Sequence, residues 1–261
     1  ETQHEIESID NQIRDLNEFV IKPAQGSGGK GILVIVGRDG DQYVKSSGAR
    51  LTLADIRRHV TNILSGLHSL GGRPDIVLIE GLVKVSPYFS AISYEGVPDI
   101  RIIVYKGVPA MAMLRLPTRK SDGKANLHKG GIGVGIRMES GTTMFGVQGS
   151  QFIDIHPETR KQLSGRAIPN WPVLLETAAK FYEITKLGYV GVDIVLDRDK
   201  GPMVLEANAR PGIAIQIANR CGLLARTQKI DQYDVSGFTM NDRIEFAMTK
   251  FTDNPHGLLP L

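Results

Sequence analysis

The strongest constraint on this chain is a pair of apolar, β-rich runs that carry acids. Tyr189–Leu196 and Pro202–Glu206 flank the turn sequence Asp197-Arg198-Asp199-Lys200-Gly201, which predicts two strands paired around a tight connection. Side chains two apart on a strand share a face, so Glu206 and Asn208 point together, and the neighbouring strand can add Asp193. Acids embedded in apolar strands are costly unless paired or metal-bound. Three hard oxygen donors suit Mg²⁺, with phosphate and water completing its shell. The plainer alternative is a set of strand-end polar residues, and the cost of placing acids there argues against it.

The rest of the chain mixes strands and helices without regular βαβ alternation, which gives an α+β class. Ile6, Ile9, Ile13 and Leu16 are spaced for a short helix within Glu1–Asn17. Phe19-Val20-Ile21 reads as a strand, Ile32–Val36 as the next and Gln42–Lys45 as its hairpin partner. Thr52-Leu53-Ala54-Asp55 predicts a capping box, followed by a helix packing through Ile56, Val60, Ile63, Leu64 and Leu67 and closed by Gly71-Gly72. Ile76–Ile79 is expected as a buried strand. Asp99–Tyr105 and Pro109–Leu116 make two more, joined at Lys106-Gly107, with a polar loop over Ser121–Gly131 and a strand over Gly131–Arg137. Pro172 starts a helix to about Lys186, packing through Leu174, Ala178, Phe181 and Thr185. Helices are expected over Ile213–Leu224 and Asn241–Phe251, before a Pro-rich tail.

Two further groups carry chemistry. Gln25-Gly26-Ser27-Gly28-Gly29-Lys30-Gly31 lets backbone N–H groups approach phosphate oxygens, and Lys22, ending the preceding strand, can add charge. No Gly-Lys-Ser/Thr follows as in a P-loop, and a strand rather than a helix comes next, which excludes a dinucleotide fingerprint. Alone, such a loop serves equally well as a hairpin tip. Arg101 and Arg115 sit inside apolar strands, where a guanidinium needs an anion, either a structural carboxylate or a bound phosphate. Pattern favours the structural salt bridge for each taken singly, and His128 taken singly reads as a loop histidine. Lys124, His128 and Arg210 complete the basic set. Gly-rich loop, acidic trio and embedded arginines together point to nucleoside triphosphate chemistry.

The order of these segments resembles the ATP-grasp superfamily, and within it the alpha-L-glutamate ligase-like family that includes ribosomal-protein glutamate ligases. The resemblance runs from Phe19 to Gly222. It rests on Phe-Val-Ile-Lys-Pro (19–23), Gly-Ser-Gly-Gly-Lys-Gly (26–31), Ile-Glu-Gly-Leu-Val (79–83), Asp-Ile-Arg (99–101), Asn-Leu-His-Lys-Gly-Gly (126–131), Gly-Val-Asp (191–193) and Glu-Ala-Asn-Ala-Arg-Pro-Gly (206–212).

It implies an ATP-grasp fold of two α+β subdomains enclosing ATP. Residues 1–82 would be the small lid subdomain, and 83–261 the large one with the metal site. Lys22 and Gly26, Ser27, Gly28, Gly29, Lys30 and Gly31 would contact the phosphates. Glu80, Gly81 and Leu82 would form the hinge recognising adenine, and Asp99 would lie near the ribose. Lys124 and Asn126 would approach the phosphates. Arg115 would stabilise the transferring phosphoryl group, while Arg101, His128 and Arg210 would face the acceptor carboxylate or acyl phosphate. Asp193, Glu206 and Asn208 would hold Mg²⁺, or Mn²⁺ in its place.

The reaction implied joins a carboxylate to an amine, such as an amino acid or peptide, through an acyl phosphate. A non-catalytic nucleotide-binding module and a small-molecule kinase on the same fold are the alternatives. Only eighteen residues precede Phe19, so the N-terminal α/β domain of such ligases, with its extra phosphate-binding Lys, is expected to lie outside this chain. Lys84–Pro98 is longer and more apolar than in the glutamate ligases, with Tyr88, Phe89 and Tyr94 read as packing.

Composition excludes little else. A net charge of +3 over 261 residues does not by itself imply a nucleic-acid partner, and no apolar run is long enough to span a bilayer. The single cysteine, Cys221, reads as a small buried hydrophobe, and a lone cysteine without a secretory signal fits the cytoplasm.

Overall fold

Alternating apolar residues in Phe19–Pro23 and Leu33–Asp39, split by the Gly-rich segment, build the first sheet of the computed structural model. The structure describes residues 6, 8–26, 29–69 and 71–252, so Ser27 and Gly28 of the loop and the tail beyond Thr252 lie outside the described residues. The chain divides into two units, Glu1–Val83 and Lys84–Leu261.

In the first unit α1 (Ile9–Ile13) buries Ile9 and Ile13, with Ile6 and Leu16 packed against the same core. Then follow β1 (Phe19–Pro23), β2 (Leu33–Asp39), β3 (Gln42–Lys45), β4 (Arg50–Leu51), α2 (Leu53–Leu64) and β5 (Val77–Gly81). The strands form an antiparallel sheet in the order β4-β3-β2-β1-β5. Phe19, Ile21, Leu33, Ile35 and Val77 face α2, which contributes Ile56, Val60, Ile63 and Leu64 to the core. Each such side chain removed from water contributes about 1.5–3 kcal/mol.

Both bonds of the Thr52–Asp55 capping box form at the start of α2. The helix stops earlier than its apolar spacing predicts, because Gly66 takes φ +85° and a Cβ there would strike the Arg73 carbonyl. Leu67 therefore leaves the packing face and is 67% exposed. The strand expected as buried over Ile76–Ile79 runs instead from Val77 to Gly81, at the sheet's edge, and alternates. Val77 points inward, while Ile76 and Leu78 are exposed.

The second unit comprises α3 (Pro87–Ser90), β6 (Asp99–Tyr105), β7 (Val108–Leu116), β8 (Ile132–Ile136), β9 (Thr143–Gln148), β10 (Gln151–Ile153), α4 (Trp171–Thr185), β11 (Tyr189–Asp197), β12 (Gly201–Asn208), α5 (Ile215–Asn219), α6 (Leu223–Asp231) and α7 (Met240–Lys250). Its antiparallel sheet has the order β10-β9-β8-β7-β6-β11-β12. Interior β6 is buried along nearly its whole length, with Ile100, Ile102 and Val104 alternating with Asp99 and Arg101. In α4, Trp171, Leu174, Leu175, Ala178 and Ala179 are buried, and Thr185 is exposed rather than part of the packing face. Phe89 is fully buried and Tyr88 packs on the same core, so both pack as expected. Tyr94 lies under the Arg119 guanidinium, 5.3 Å from its ring centre.

The helix expected over Ile213–Leu224 is two helices. Arg220 turns to φ +46° and ends α5, and α6 begins after Gly222. Among the described residues no helix is long and apolar enough to cross a membrane.

Candidate active site

In the first unit β1 and β5 pair so that Val20 stands opposite Glu80 and Lys22 opposite Leu78. Lys22 Nζ reaches Glu80 Oε2 at 2.8 Å across that ladder. The same sheet face carries Val20, Val34, Val36 and Leu78, of which Val36 is 37% and Leu78 38% exposed. An open apolar patch around a lysine–glutamate pair can take a flat aromatic ring and direct an anionic tail past the lysine. Sequence reading singled out Lys22 and Glu80 from this face but not the valines and leucine around them; period-two alternation was the available signal.

The Gly-rich segment is fixed at both stems. Asp75, buried, accepts the N–H groups of Gln25 and Ile76. Gly26 pairs with Ser69 across a single bridge. At the other stem, His59 donates through Nε2 to the Gly31 carbonyl at 2.9 Å, and the His68 ring packs against the space a Gly31 side chain would need. Burial holds His59 below the usual histidine range, so it stays neutral at physiological pH. Between these stems Gly29 and Lys30 are exposed. Asp75, His59 and His68 lie in no recognisable motif and acquire their roles only from tertiary placement.

In the second unit the strand register assembles the charged residues. Met113 of β7, Arg101 of β6, Asp193 of β11 and Glu206 of β12 stand opposite one another in a row across the sheet. Two residues along, and hence on the same face, Arg115 stands opposite Asp99. Arg101 grips Asp193 in a fork, Nε to Oδ1 at 2.7 Å and Nη2 to Oδ2 at 2.6 Å. Arg115 donates Nε to Asp99 Oδ1 and Nη2 to Asp193 Oδ2, each at 2.5 Å. Arg101 Nη2 also lies 3.8 Å from Glu206 Oε1, which accepts the Asn208 side-chain N–H at 2.7 Å.

Asp193 has no exposed surface, whereas the Glu206 side chain is 55% exposed. Burial opposes the charge on Asp193, yet the hydrogen bond and charge of Arg101, together with the charge of Arg115, outweigh it and hold the carboxyl below its usual range. Glu206 moves the other way, raised by desolvation and by the nearby charge of Asp193, with the Asn208 bond opposing. Two carboxylates crowding one another beside an amide form a donor set that a divalent cation would neutralise. Among the described residues no group of three or more His, Cys, Asp or Glu side chains forms a ready metal cage. The oxygen set here is two carboxylates and Asn208.

The structural salt bridge favoured for each embedded arginine is what Arg101 and Arg115 make. Asp99, for which the resemblance implies a place near the ribose, is buried and accepts from Arg115, because the β6–β7 register sets the two opposite each other. Lys124 is exposed and pairs with Asp122 at 3.3 Å. Asn126 caps the 3₁₀ turn Leu127–Lys129, its side-chain oxygen accepting the His128 N–H at 3.0 Å. Thr118, fully buried, ties the base of this loop by donating to the Gly130 carbonyl. His128 and Arg210 are exposed.

Glycines keep this face open to its neighbours. A Cβ at Gly191 would meet Pro211 at 2.5 Å, so the chain leaving β12 folds back across β11 only because that position is bare. Gly133, opposite Arg115, leaves room for Leu127 and for Ala218 of α5.

Residues 1–232 match the family model described as sugar-transfer associated ATP-grasp. The chain is 26% identical over 195 residues to a protein named probable alpha-L-glutamate ligase from Maridesulfovibrio salexigens, a match spanning 75% of this chain and 43% of that protein. It thus spans less than half the length of this curated relative. Among solved structures, D-cycloserine synthetase gives a TM-score of 0.45 at 16% identity, covering 88% of this chain and 60% of that one. D-alanine–D-alanine ligase from Bacillus anthracis gives 0.39 at 14% identity, covering 93% and 58%.

Proposed function

The chain belongs to the sugar-transfer associated ATP-grasp family, and from that premise we propose that it is an ATP- and Mg²⁺-dependent carboxylate–amine ligase acting on amino acids or peptides in the cytoplasm. The observation that carries this reading is the row of Asp193, Glu206 and Asn208 with Arg101 and Arg115 on one sheet face. Oxygen donors and guanidiniums set side by side suit a reaction that gathers negative charge at a phosphoryl group.

Asp193, Glu206 and Asn208 would hold the cation, which when bound would neutralise charge on the β- and γ-phosphates. Lys22 and the exposed loop residues Gly29 and Lys30 bind phosphate oxygens. The apolar face of Val20, Val34, Val36 and Leu78 takes the base. A substrate carboxylate attacks the γ-phosphorus, the bond to the β-phosphate oxygen breaks, and ADP leaves. Arg101 and Arg115 stabilise the phosphoryl oxygens and orient the acyl phosphate. An amine then attacks the acyl carbon, phosphate departs, and the amine loses a proton to give the amide. His128 and Arg210, both exposed, receive the carboxylate substrate.

Titration calorimetry of Mg–ATP tests this reading. The chain should bind Mg–ATP, and the folded Asp193→Ala/Glu206→Ala variant should lose the Mg²⁺-dependent part. A screen of carboxylates and amines should then find ADP release that needs both. A folded protein with no Mg²⁺-dependent ATP binding overturns the reading. ADP release with a stable phosphorylated product and no amine requirement would make it a kinase.

A further inference from the structure

We propose that Arg101 and Arg115 act as an ionic latch on the cation site: without a divalent cation their Nη2 groups neutralise Asp193, and on cation binding both let go of Asp193 Oδ2 and turn to the bound anion. The inference rests on the ligase reading for the identity of the cation site and adds how that site is kept when empty.

The two oxygens of Asp193 are used unequally. Oδ2 takes both Arg101 Nη2 at 2.6 Å and Arg115 Nη2 at 2.5 Å, whereas Oδ1 takes only Arg101 Nε at 2.7 Å. The doubly used oxygen shares Arg101 Nη2 with Glu206, the second carboxylate of the set. Each guanidinium has a second anchor at its Nε atom, Arg101 on Asp193 Oδ1 and Arg115 on Asp99 Oδ1. Losing the Nη2 contact therefore leaves both arginines tethered, and a turn about the Nε anchor re-aims the freed donors without withdrawing either side chain. Arg101 Nη2 already leans towards Glu206, at 3.8 Å.

Charge drives the exchange. With all three carboxylates ionised, two guanidiniums face Asp193, Asp99 and Glu206, which leaves one negative charge. A divalent cation converts that into one positive charge, and the freed Nη2 groups then need an anion. A cation alone must displace guanidiniums that have nowhere better to go, while a cation arriving with phosphates gives them a partner. The latch thus makes cation and nucleotide binding mutually dependent and keeps Asp193, which is fully buried, from standing unpaired.

The test is Mn²⁺ binding to the full chain without nucleotide, read from the electron paramagnetic resonance of free Mn²⁺. Arg101→Met and the double variant Arg115→Met/Asp99→Asn, which leaves no carboxylate orphaned, should each bind Mn²⁺ alone at least about tenfold tighter than wild type, since each loses a competing charge within contact distance. Both should lose most of the tightening that ATP gives. Equal or weaker Mn²⁺ binding by folded variants overturns the latch. A measurement without variants stands behind them: in ¹⁵N guanidinium spectra of wild type, Mg²⁺ with ATP should move the Nη signals of both arginines and leave their Nε signals nearly in place, and unmoved Nη signals would overturn it equally. Wild type that fails to bind Mn²⁺ even with ATP would remove the ligase reading itself; wild type that binds it, beside variants that show no tightening, removes only the latch.

Discussion

Asp193 and Asp99 are two aspartates on adjacent strands with opposite electrostatic fates, and the difference is the number of guanidinium hydrogen bonds each receives. Asp193 takes three and Asp99 one. Replacing Asp193 by Asn leaves two buried guanidiniums short of a counter-charge and should cost about 3–5 kcal/mol, measured by urea unfolding. Asp99 is pushed up to about 7 by burial, with Arg115 pulling the other way and Asp193 adding to the rise. Its folded value then lies above the unfolded one near 4, so the folded chain binds that proton more tightly. The stabilisation from this group is complete below about pH 4 and is lost as pH rises through about 7. Wild type should therefore lose stability relative to Asp99→Asn, whose amide stays neutral, over that interval. Wild type that instead gains stability relative to the variant as pH rises would show that the Arg115 contact outweighs burial.

At the level of elements, Gly191 decides how the chain leaves β12. Gly191→Ala would drive a methyl into Pro211, displacing the segment that follows Asn208, at about 1–3 kcal/mol and with weakened Mg²⁺-dependent nucleotide binding in calorimetry. Unchanged binding would show that Asn208 does not depend on this crossing. The sequence made the paired strands around Asp197–Gly201 legible, because apolar runs and turn residues are local signals. It also made the capping box at Thr52 legible, since Asp55 lies one helical turn away. Register was not legible. Asp193, Glu206, Arg101 and Arg115 are each readable as chemically committed residues, and Asp99 only through the family resemblance, but which carboxylate meets which guanidinium depends on strands far apart in the chain. The same limit hid the break at Arg220, whose left-handed backbone no local pattern marks. Asp75 and His59 carry no local signal either, because a loop stem is defined by what it touches.

At the scale of the whole molecule, the described residues form two separate hydrophobic clusters, one in each unit. Unfolding should not be a single all-or-none step. Ile21→Ala should lower only one calorimetric transition and Ile102→Ala only the other, each by about 2–5 kcal/mol. A single transition displaced by both would mean that the units unfold together.

The burial of the ion pairs in the second unit has a consequence for behaviour in concentrated electrolyte. Dissolved ions screen charges they can approach, over about 8 Å at physiological ionic strength, and reach buried pairs far less. The Lys22–Glu80 pair is partly open to solvent, whereas Arg101–Asp193 and Arg115–Asp99 are almost wholly enclosed. Added potassium chloride should loosen the first and leave the others nearly untouched. A rise in salt would then free the Lys22 ammonium from Glu80 long before it disturbed the charged row on the larger sheet, so the two ion-pair systems would yield at different brine strengths.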